Sequence, residues 1–256
     1  MKLCLADNKK NSKEYLNQQG PSRVDSWKRF EVIAPRYDLF NRVASLGLAK
    51  RWRRQAAVLL SEKNHLKVLD LAAGTADQLI EVCKQNHEIE YAVGIDMSEK
   101  MLDIGRQKLR KENLKNTELV RADILDIPFE SDFFDAATIS FGIRNVKNIP
   151  AALKEILRVL KPEGRLIILE FSMPENRVLN FAYTLFLRMV LPFAGAVIAG
   201  YKQAYTYLSE TIRTFASPEQ MCCLLGGQGF GDIEAKSLCC GIVHIYSCEK
   251  TKEISC

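Results

Sequence analysis

The sequence predicts an α/β protein: a doubly wound, mostly parallel seven-stranded sheet with one antiparallel strand, N-terminal helices and a helical insertion. Three observations carry this. From residue 67, short β-rich runs alternate with amphipathic helices, which at these lengths builds a parallel sheet covered on both faces. After residue 171 the alternation gives way to a largely helical tract at 173–216. Two β-rich runs split by Gly241 then close the chain, and a tight hairpin there forces one strand antiparallel.

In order, residues 1–24 are polar and lysine-rich and read as a mobile tail, with an apolar run too short for a signal peptide. One domain follows over 25–250. Residues 25–60 hold two or three helices, ending in Ala49–Leu60. The core at 67–172 has strands expected at Lys67–Ala73, Tyr91–Asp96, Glu118–Ala122, Phe134–Ser140 and Leu166–Phe171, with helices at 76–86, 99–112 and 148–160. Leu153, Ile156, Leu157 and Leu160 share one face of the last helix. Lys161-Pro-Glu-Gly164 should stop it, since proline cannot continue a helix and glycine accepts positive φ. The insertion at 173–216 covers a substrate, 217–250 holds the final helix and the strand pair Asp232–Ser237 and Ile242–Cys248, and 251–256 is a tail.

Composition excludes several classes. With 47% hydrophobic residues the 256-residue chain can bury a sizeable core. A net charge of +5 is too mild to indicate nucleic acid. The eight cysteines (Cys4, Cys83, Cys222, Cys223, Cys239, Cys240, Cys248 and Cys256) contain no C-x-x-C pair and read as reduced, mostly buried thiols. His65, His87 and His244 are scattered, so no metal is expected. Val178–Tyr201 is long enough to span a bilayer, but Asn180, Arg188 and Pro192 interrupt it, and a central arginine costs at least ~2.5 kcal/mol. It reads as helices that cover a pocket or touch a bilayer surface.

Ligands of open α/β sheets sit at the carboxyl ends of the strands. The first strand runs into Asp70-Leu-Ala-Ala-Gly-Thr-Ala-Asp77, whose single Gly74 is a poor pyrophosphate cradle, so NAD and FAD fit badly. A nucleoside cofactor without phosphates fits better. Asp96, 22 residues after Gly74, stands where a carboxylate would hold a ribose hydroxyl pair. Asp123-Ile124, ending the third strand, offers a carboxylate and an amide to an adenine edge. The fourth strand ends in TISFGIRNV, which sets Arg144 and Asn145 just past a buried run. Either they are solvated loop residues, or they face developing negative charge.

Four stretches carry a resemblance. They are Tyr37-Asp-Leu-Phe-Asn41 with Ser45 and Trp52, Asp70-Leu-Ala-Ala-Gly-Thr75, Ile139–Val146, and Arg158–Ser172; Tyr205–Ile212 adds a fifth piece. In these the chain resembles the ubiquinone/menaquinone biosynthesis C-methyltransferases, a family of class I S-adenosylmethionine-dependent methyltransferases with a Rossmann-like fold. The resemblance covers about residues 25–250. It implies S-adenosyl-L-methionine as methyl donor, with Gly74, Thr75, Asp96, Asp123, Ile124 and Ser140 lining its site, and Tyr37, Arg144 and Asn145 near the acceptor. The implied reaction is C-methylation of a reduced isoprenoid quinone, naphthoquinol or benzoquinol, with Arg144 and Asn145 stabilising a phenolate and the proton leaving to water, Tyr37 or Asp38. Ala73 and Ala76 replace glycines usual in the family and are expected to add bulk at the cofactor turn. Phe40, Ala49 and Glu163 replace a methionine, a histidine and a glycine, and Thr211 stands for a serine.

The implied location is cytoplasmic, with contact at the inner face of the membrane left open. Lys50, Arg51, Arg53 and Arg54 around Trp52 are the residues that would meet anionic headgroups. Transient contact with other quinone-biosynthesis enzymes and a homo-oligomer also stay open; nucleic acid is not an expected partner. The alternatives are another lipid or small-molecule acceptor for the same class of enzyme, and a non-catalytic scaffold.

Overall fold

The computed structural model describes residues 21–23, 25–45, 47–60, 65–86, 88–193 and 202–252. The expected tails at 1–24 and 251–256 lie almost wholly outside them, as do Cys4, His87 and Cys256.

Two helices, α1 (Ser26–Ala44) and α2 (Ala49–Val58), precede the sheet. Then follow β1 (Leu66–Leu71), α3 (Asp77–Gln85), β2 (Ile89–Asp96), α4 (Glu99–Lys111), β3 (Thr117–Arg121), β4 (Phe134–Ser140), α5 (Ile149–Val159) and β5 (Leu160–Phe171). The insertion supplies α6 (Arg177–Leu185), running on through a π-helical turn at Phe186–Val190, and α7 (Lys202–Arg213). Helix α8 (Pro218–Gly227) and strands β6 (Phe230–Leu238) and β7 (Val243–Lys250) complete the chain.

The sheet order is β3-β2-β1-β4-β5-β7-β6. β7 pairs antiparallel with both β5 and β6, while the other pairings are parallel. This is the expected seven-stranded sheet with one reversed strand. The order changes direction between β1 and β4, where α/β sheets open a crevice at the carboxyl ends. Strands buried on both faces need apolar side chains on both. Leu69, Leu71, Ile139 and Ile168 pack under Ile149, Leu153 and Ile156 of α5 and Met221 and Leu225 of α8. On the other face Val68, Ala92, Ile167 and Leu169 pack under α2, α3 and α4. A smaller core of Tyr183, Leu187, Leu191, Tyr205 and Ile212 joins α6 to α7 and meets the sheet through Phe171 and Ile242.

Local chemistry sets the ends. Ser98 caps α4 by accepting from the Met101 amide, and Ser217 with Gln220 forms a reciprocal capping box at α8. Helix α5 ends at Val159, as expected, but the left-handed residue in the following turn is Glu163 (φ 62°) and not Gly164. Gly164 is needed for space instead, since a Cβ there would lie 2.7 Å from the Lys161 carbonyl oxygen. The cysteines depart in part from the expected burial. Cys223 and Cys248 are buried, but Cys239 and Cys240 are exposed because they form the turn between β6 and β7. No helix among the described residues is long and apolar enough to cross a membrane.

Asp70 on β1 is fully buried and accepts a 2.6 Å hydrogen bond from the Thr138 hydroxyl of the adjacent β4. Burial pushes its carboxyl up to about 7, against the lowering effect of that hydrogen bond. A carboxyl raised in the folded state binds its proton more tightly there than in the unfolded chain. The stability it contributes is therefore complete below the unfolded value and is lost as pH rises towards 7. Asp70→Asn should flatten this fall, leaving the variant at least as stable as the wild type at pH 8 and without that advantage at pH 4, by urea unfolding at both pH values. The expected change in the pH 4-to-8 difference is on the order of a few kcal/mol.

Candidate functional site

A cavity of ≈ 290 Å³ opens at the carboxyl ends of β1, β2, β3 and β4. Gly74, Asp96, Asp123, Ile124, Ser140 and Asn145 all line it, together with Trp27 and Phe30 of α1. Asp96 is held by backbone amides: Oδ2 accepts from Gly74 and Oδ1 from Ser98, both at 2.9 Å. Each carboxylate oxygen has a further lone pair, so the group can also accept from a ligand's hydroxyls. Burial raises its pKa, and those amide bonds oppose the rise. Asp123 Oδ1 accepts from the Leu125 amide at 2.9 Å, fixing the turn that presents Ile124. The Ser140 hydroxyl donates to Gln78 at 2.9 Å.

Thr75 goes elsewhere. It is buried, and its hydroxyl donates to Asp38 Oδ1 at 2.7 Å and accepts from Lys108 at 2.9 Å. It thereby ties the cofactor turn to α1 instead of lining the cavity. The alanine methyls do not crowd the cavity either. The Ala73 methyl lies where a Cβ on Gly94 would come within 2.8 Å, and the Ala76 methyl where one on Gly105 would come within 3.2 Å. Both methyls are packed behind the turn against glycines of β2 and α4, so the bulk expected at the ligand is directed into the core. Gly74 faces open space, with only the Met101 methyl 3.6 Å from a notional Cβ. A nucleoside-sized crevice of mixed lining with an amide-held carboxylate, and the Asn145 Oδ1 buried without a partner at its wall, fits S-adenosylmethionine.

Behind this cavity lies a second one, apolar and only ≈ 50 Å³, roofed by Tyr183, Leu187, Tyr205 and Tyr207 of the insertion. Arg53 and Arg144 line it from below. Phe30, Tyr37 and Phe141 line both cavities, which therefore adjoin along these aromatic side chains. Thus the neighbours Arg144 and Asn145 serve different cavities, Arg144 the small apolar one and Asn145 the larger one.

Arg144 is buried, not solvated. Its Nη1 donates to Glu170 Oε1 at 2.6 Å and to the Phe141 carbonyl at 2.5 Å, while its amide donates to Glu170 Oε2 at 3.4 Å. Burial raises the pKa of Glu170, and the facing guanidinium pulls it back. Phe141 sits at φ 59°, a left-handed conformation that a bulky residue adopts only under constraint. Its amide bond to Leu169 O at 2.7 Å and its carbonyl bond to Arg144 supply that constraint.

Tyr37 keeps its proton: burial raises its pKa above the ordinary tyrosine value. At neutral pH it is thus a donor, and burial disfavours the phenolate that a base would need. Asp38 is engaged by Thr75 and by Lys108, 2.6 Å from its Oδ2. Arg53 and Trp52 are buried, so Arg53 does not take the headgroup contact expected of that cluster; Lys50, Arg51 and Arg54 remain exposed. Sequence reasoning missed Arg53 as a cavity residue. Its signal was present, because position 53 falls on the stripe Ala49, Trp52, Ala56, Ala57 that α2 buries. Among the described residues no group of three or more His, Cys, Asp or Glu is placed to hold a metal ion.

Residues 18–250 match the profile of the ubiE/COQ5 methyltransferase family. The chain is 40% identical over 222 residues to a ubiquinone/menaquinone biosynthesis C-methyltransferase UbiE of Geobacter sulfurreducens, covering 86% of each. It is 40% identical over 217 residues to a demethylmenaquinone methyltransferase of Thermus thermophilus, covering 85% of this chain and 97% of the other. Among solved structures, a SAM-dependent methyltransferase of Thermotoga maritima, described as a possible histamine N-methyltransferase, superposes with TM-score 0.63 at 18% identity, over 88% of this chain and all of that one. The cyclase SpnF superposes with TM-score 0.67 at 16% identity, over 91% of this chain and 98% of its own. At such identities the structural likeness concerns the fold.

Removing one partner of a buried ion pair strands the other, at a cost of about 3–5 kcal/mol. Glu170→Gln should lower unfolding stability by that amount and free the Phe141 turn, so that affinity for S-adenosylhomocysteine by calorimetry falls as well. A variant with full stability and affinity would contradict the bridging role.

Proposed function

The chain belongs to the ubiE/COQ5 methyltransferase family, and from that premise we propose that it methylates a ring carbon of a reduced isoprenoid quinone, with S-adenosyl-L-methionine as donor. The acceptor is demethylmenaquinol, 2-polyprenyl-6-methoxy-1,4-benzoquinol, or both. The observation that carries this is that Phe30, Tyr37 and Phe141 line both cavities, so that the larger, more polar one and the small apolar one adjoin. Direct transfer from a nucleoside donor to a greasy ring needs two such sites side by side, with sulfur and carbon in reach of each other.

When bound, the donor supplies a methyl group on a positively charged sulfur. The residues supply position, and alignment alone can account for ~7–11 kcal/mol of barrier. Asp96 would accept from the ribose hydroxyls, Asp123 and the Ile124 amide would meet the adenine edge, and Asn145 would offer its unpartnered amide oxygen from the same cavity's lining. The acceptor carbon becomes nucleophilic as its neighbouring hydroxyl loses its proton. Tyr37 donates to the resulting oxygen, and Arg144 places a fixed positive charge on the cavity wall. No carboxylate or histidine is found among the described residues lining the apolar cavity, so the proton leaves to solvent. That cavity has room for only a few waters, so α6 and α7 must part to admit the ring.

Such acceptors reside in a bilayer, and the outer face of the covering helix suits one. Val178, Phe181 and Met189 are 80%, 73% and 63% exposed. The stretch Arg177–Phe193 contains Arg177 and Arg188 and no acidic residue. An exposed apolar stripe with only basic charge fits an anionic lipid surface.

Two measurements test this reading. Labelled methyl transfer from S-adenosylmethionine to each quinol in detergent should appear in the ring product; cofactor binding without transfer to either acceptor would overturn it. Separately, the protein should sediment with anionic vesicles, and Phe181→Asp should abolish sedimentation while leaving transfer in detergent within about twofold.

A further inference from the structure

We propose that Arg53 is the cation met by the acceptor's phenolic oxygen, while Arg144 holds the wall in place. The inference rests on the apolar cavity being the acceptor site. Three arginines line that cavity: Arg29, Arg53 and Arg144. Arg29 lies over the Tyr207 ring, 4.3 Å from its centroid, and is occupied in stacking on the roof. Arg144 is matched charge for charge by the fully buried Glu170 at 2.6 Å, and the same nitrogen also serves the Phe141 carbonyl. A second anion approaching Arg144 would meet the field of Glu170 at close range, in a medium that screens little.

Arg53 is buried too, but its partner differs. The arginine is 7% exposed, so its charge is poorly hydrated. Its partner Asp77 stands 3.3 Å away, longer than the Arg144 pair, and is one-third exposed, so that water screens it. Asp77 gives its other oxygen to Lys108 at 2.6 Å, which shares out the negative charge still further. The Arg53 guanidinium carbon lies 5.5 Å from the centroid of the Phe141 ring, which lines both cavities. One turn earlier on the same face, Ala49 lines the cavity with only a methyl group and leaves room beside the guanidinium. The backbone is held as well: Gln78 donates to the Arg53 carbonyl at 3.4 Å, and Gln78 is itself the acceptor for Ser140 of the donor cavity. A guanidinium buried on an apolar stripe is costly unless something uses its charge. Here it offers planar donors to an oxygen that turns anionic, with the protonated Tyr37 as second donor.

The test reads ionisation in the cavity directly. The probe is 4-nitro-1-naphthol, whose ionised form absorbs in the visible, titrated against protein saturated with S-adenosylhomocysteine. The other ionisable groups facing the probe are Arg29, Tyr37, Arg144, Tyr183, Tyr205 and Tyr207, with Asp77 and Lys108 behind Arg53; none is altered. Binding to wild type should lower the naphthol pKa, and Arg53→Met should undo that shift by about one unit, a tenfold loss of ionisation at fixed pH. Arg53→Lys should recover part of it, and affinity for S-adenosylhomocysteine should stay within about twofold in both. A probe shift equal in wild type and Arg53→Met would overturn the proposal while leaving the acceptor site intact. A probe that fails to bind wild type, or that quinol does not displace, would remove the acceptor site and the proposal with it. Should Arg53→Met not fold, the Arg53→Lys comparison still decides, since the shorter ammonium loses the planar donors and should lose part of the shift.

Discussion

The site depends on one buried contact, the bridge from Arg144 to Glu170 and to the Phe141 carbonyl. Glu170 comes from near the end of β5 and Phe141 from the residue just past β4, so the guanidinium ties two adjacent strand ends at the crevice. The bond to its own turn closes the loop at Phe141 and holds that ring at a φ of 59°. In this conformation the ring stands between the two cavities, braced by Phe171 at 4.6 Å and Trp52 at 6.3 Å. The same turn sends Asn145 towards the donor side. Without the bridge, a strained bulky residue would relax, and the wall would move with it.

A second set of polar contacts brings α1 down over the crevice at three points. The Ser26 hydroxyl donates to the Asn145 carbonyl at 3.2 Å. Glu31 accepts from the Ser98 hydroxyl at 3.1 Å and from the Lys100 amide at 3.3 Å, at the positive end of α4. Asp38 accepts from Thr75 and pairs with Lys108. Glu31 and Asp38 lie about two turns apart on one face and Ser26 sits in the first turn, and between these anchors α1 presents Phe30 and Tyr37 to the cavities. The helix that closes the larger cavity is thus the one that carries two of the three residues lining both cavities. Most of these pairs are partly exposed and individually weak; as a set they fix register more than they add stability.

Much of this was legible in the sequence, for definite reasons. Asp96 and Asp123 were readable because strand ends of a doubly wound sheet have fixed meaning, and the alternation of β and α runs located those ends. Gly74 followed from the same frame, whereas Ser140 came from the family resemblance. What stayed hidden needed partners distant in sequence. Glu170 reads as one more residue of LIILEF until its side chain is seen 26 positions away on Arg144. Arg53 reads as a member of a basic cluster because charge runs are usually solvated, and only the helical phase of α2 separates it from Arg51 and Arg54. Thr75 lies in the right loop but points backwards, which no one-dimensional spacing reports. The Ala73 and Ala76 methyls looked like obstacles because Gly94 and Gly105, which make room for them, come from other elements.

The sheet by itself does not select a reaction. A cyclase and a methyltransferase described as acting on another type of acceptor superpose on this chain nearly as a whole, so the strand order and the crevice are common property. What differs must lie in the parts that are free to vary without disturbing the sheet: the turn after β4, the face of α1 and the insertion after β5. In this chain those three parts meet at one place, the aromatic wall. The insertion has apolar side chains on both its faces, Leu187 and Tyr183 turned inward over the cavity and Phe181 and Met189 turned outward. A helix that only capped a soluble pocket would gain by being polar outside. Keeping it apolar on both sides makes sense where the substrate's path leads from an apolar phase, past the helix, to the wall.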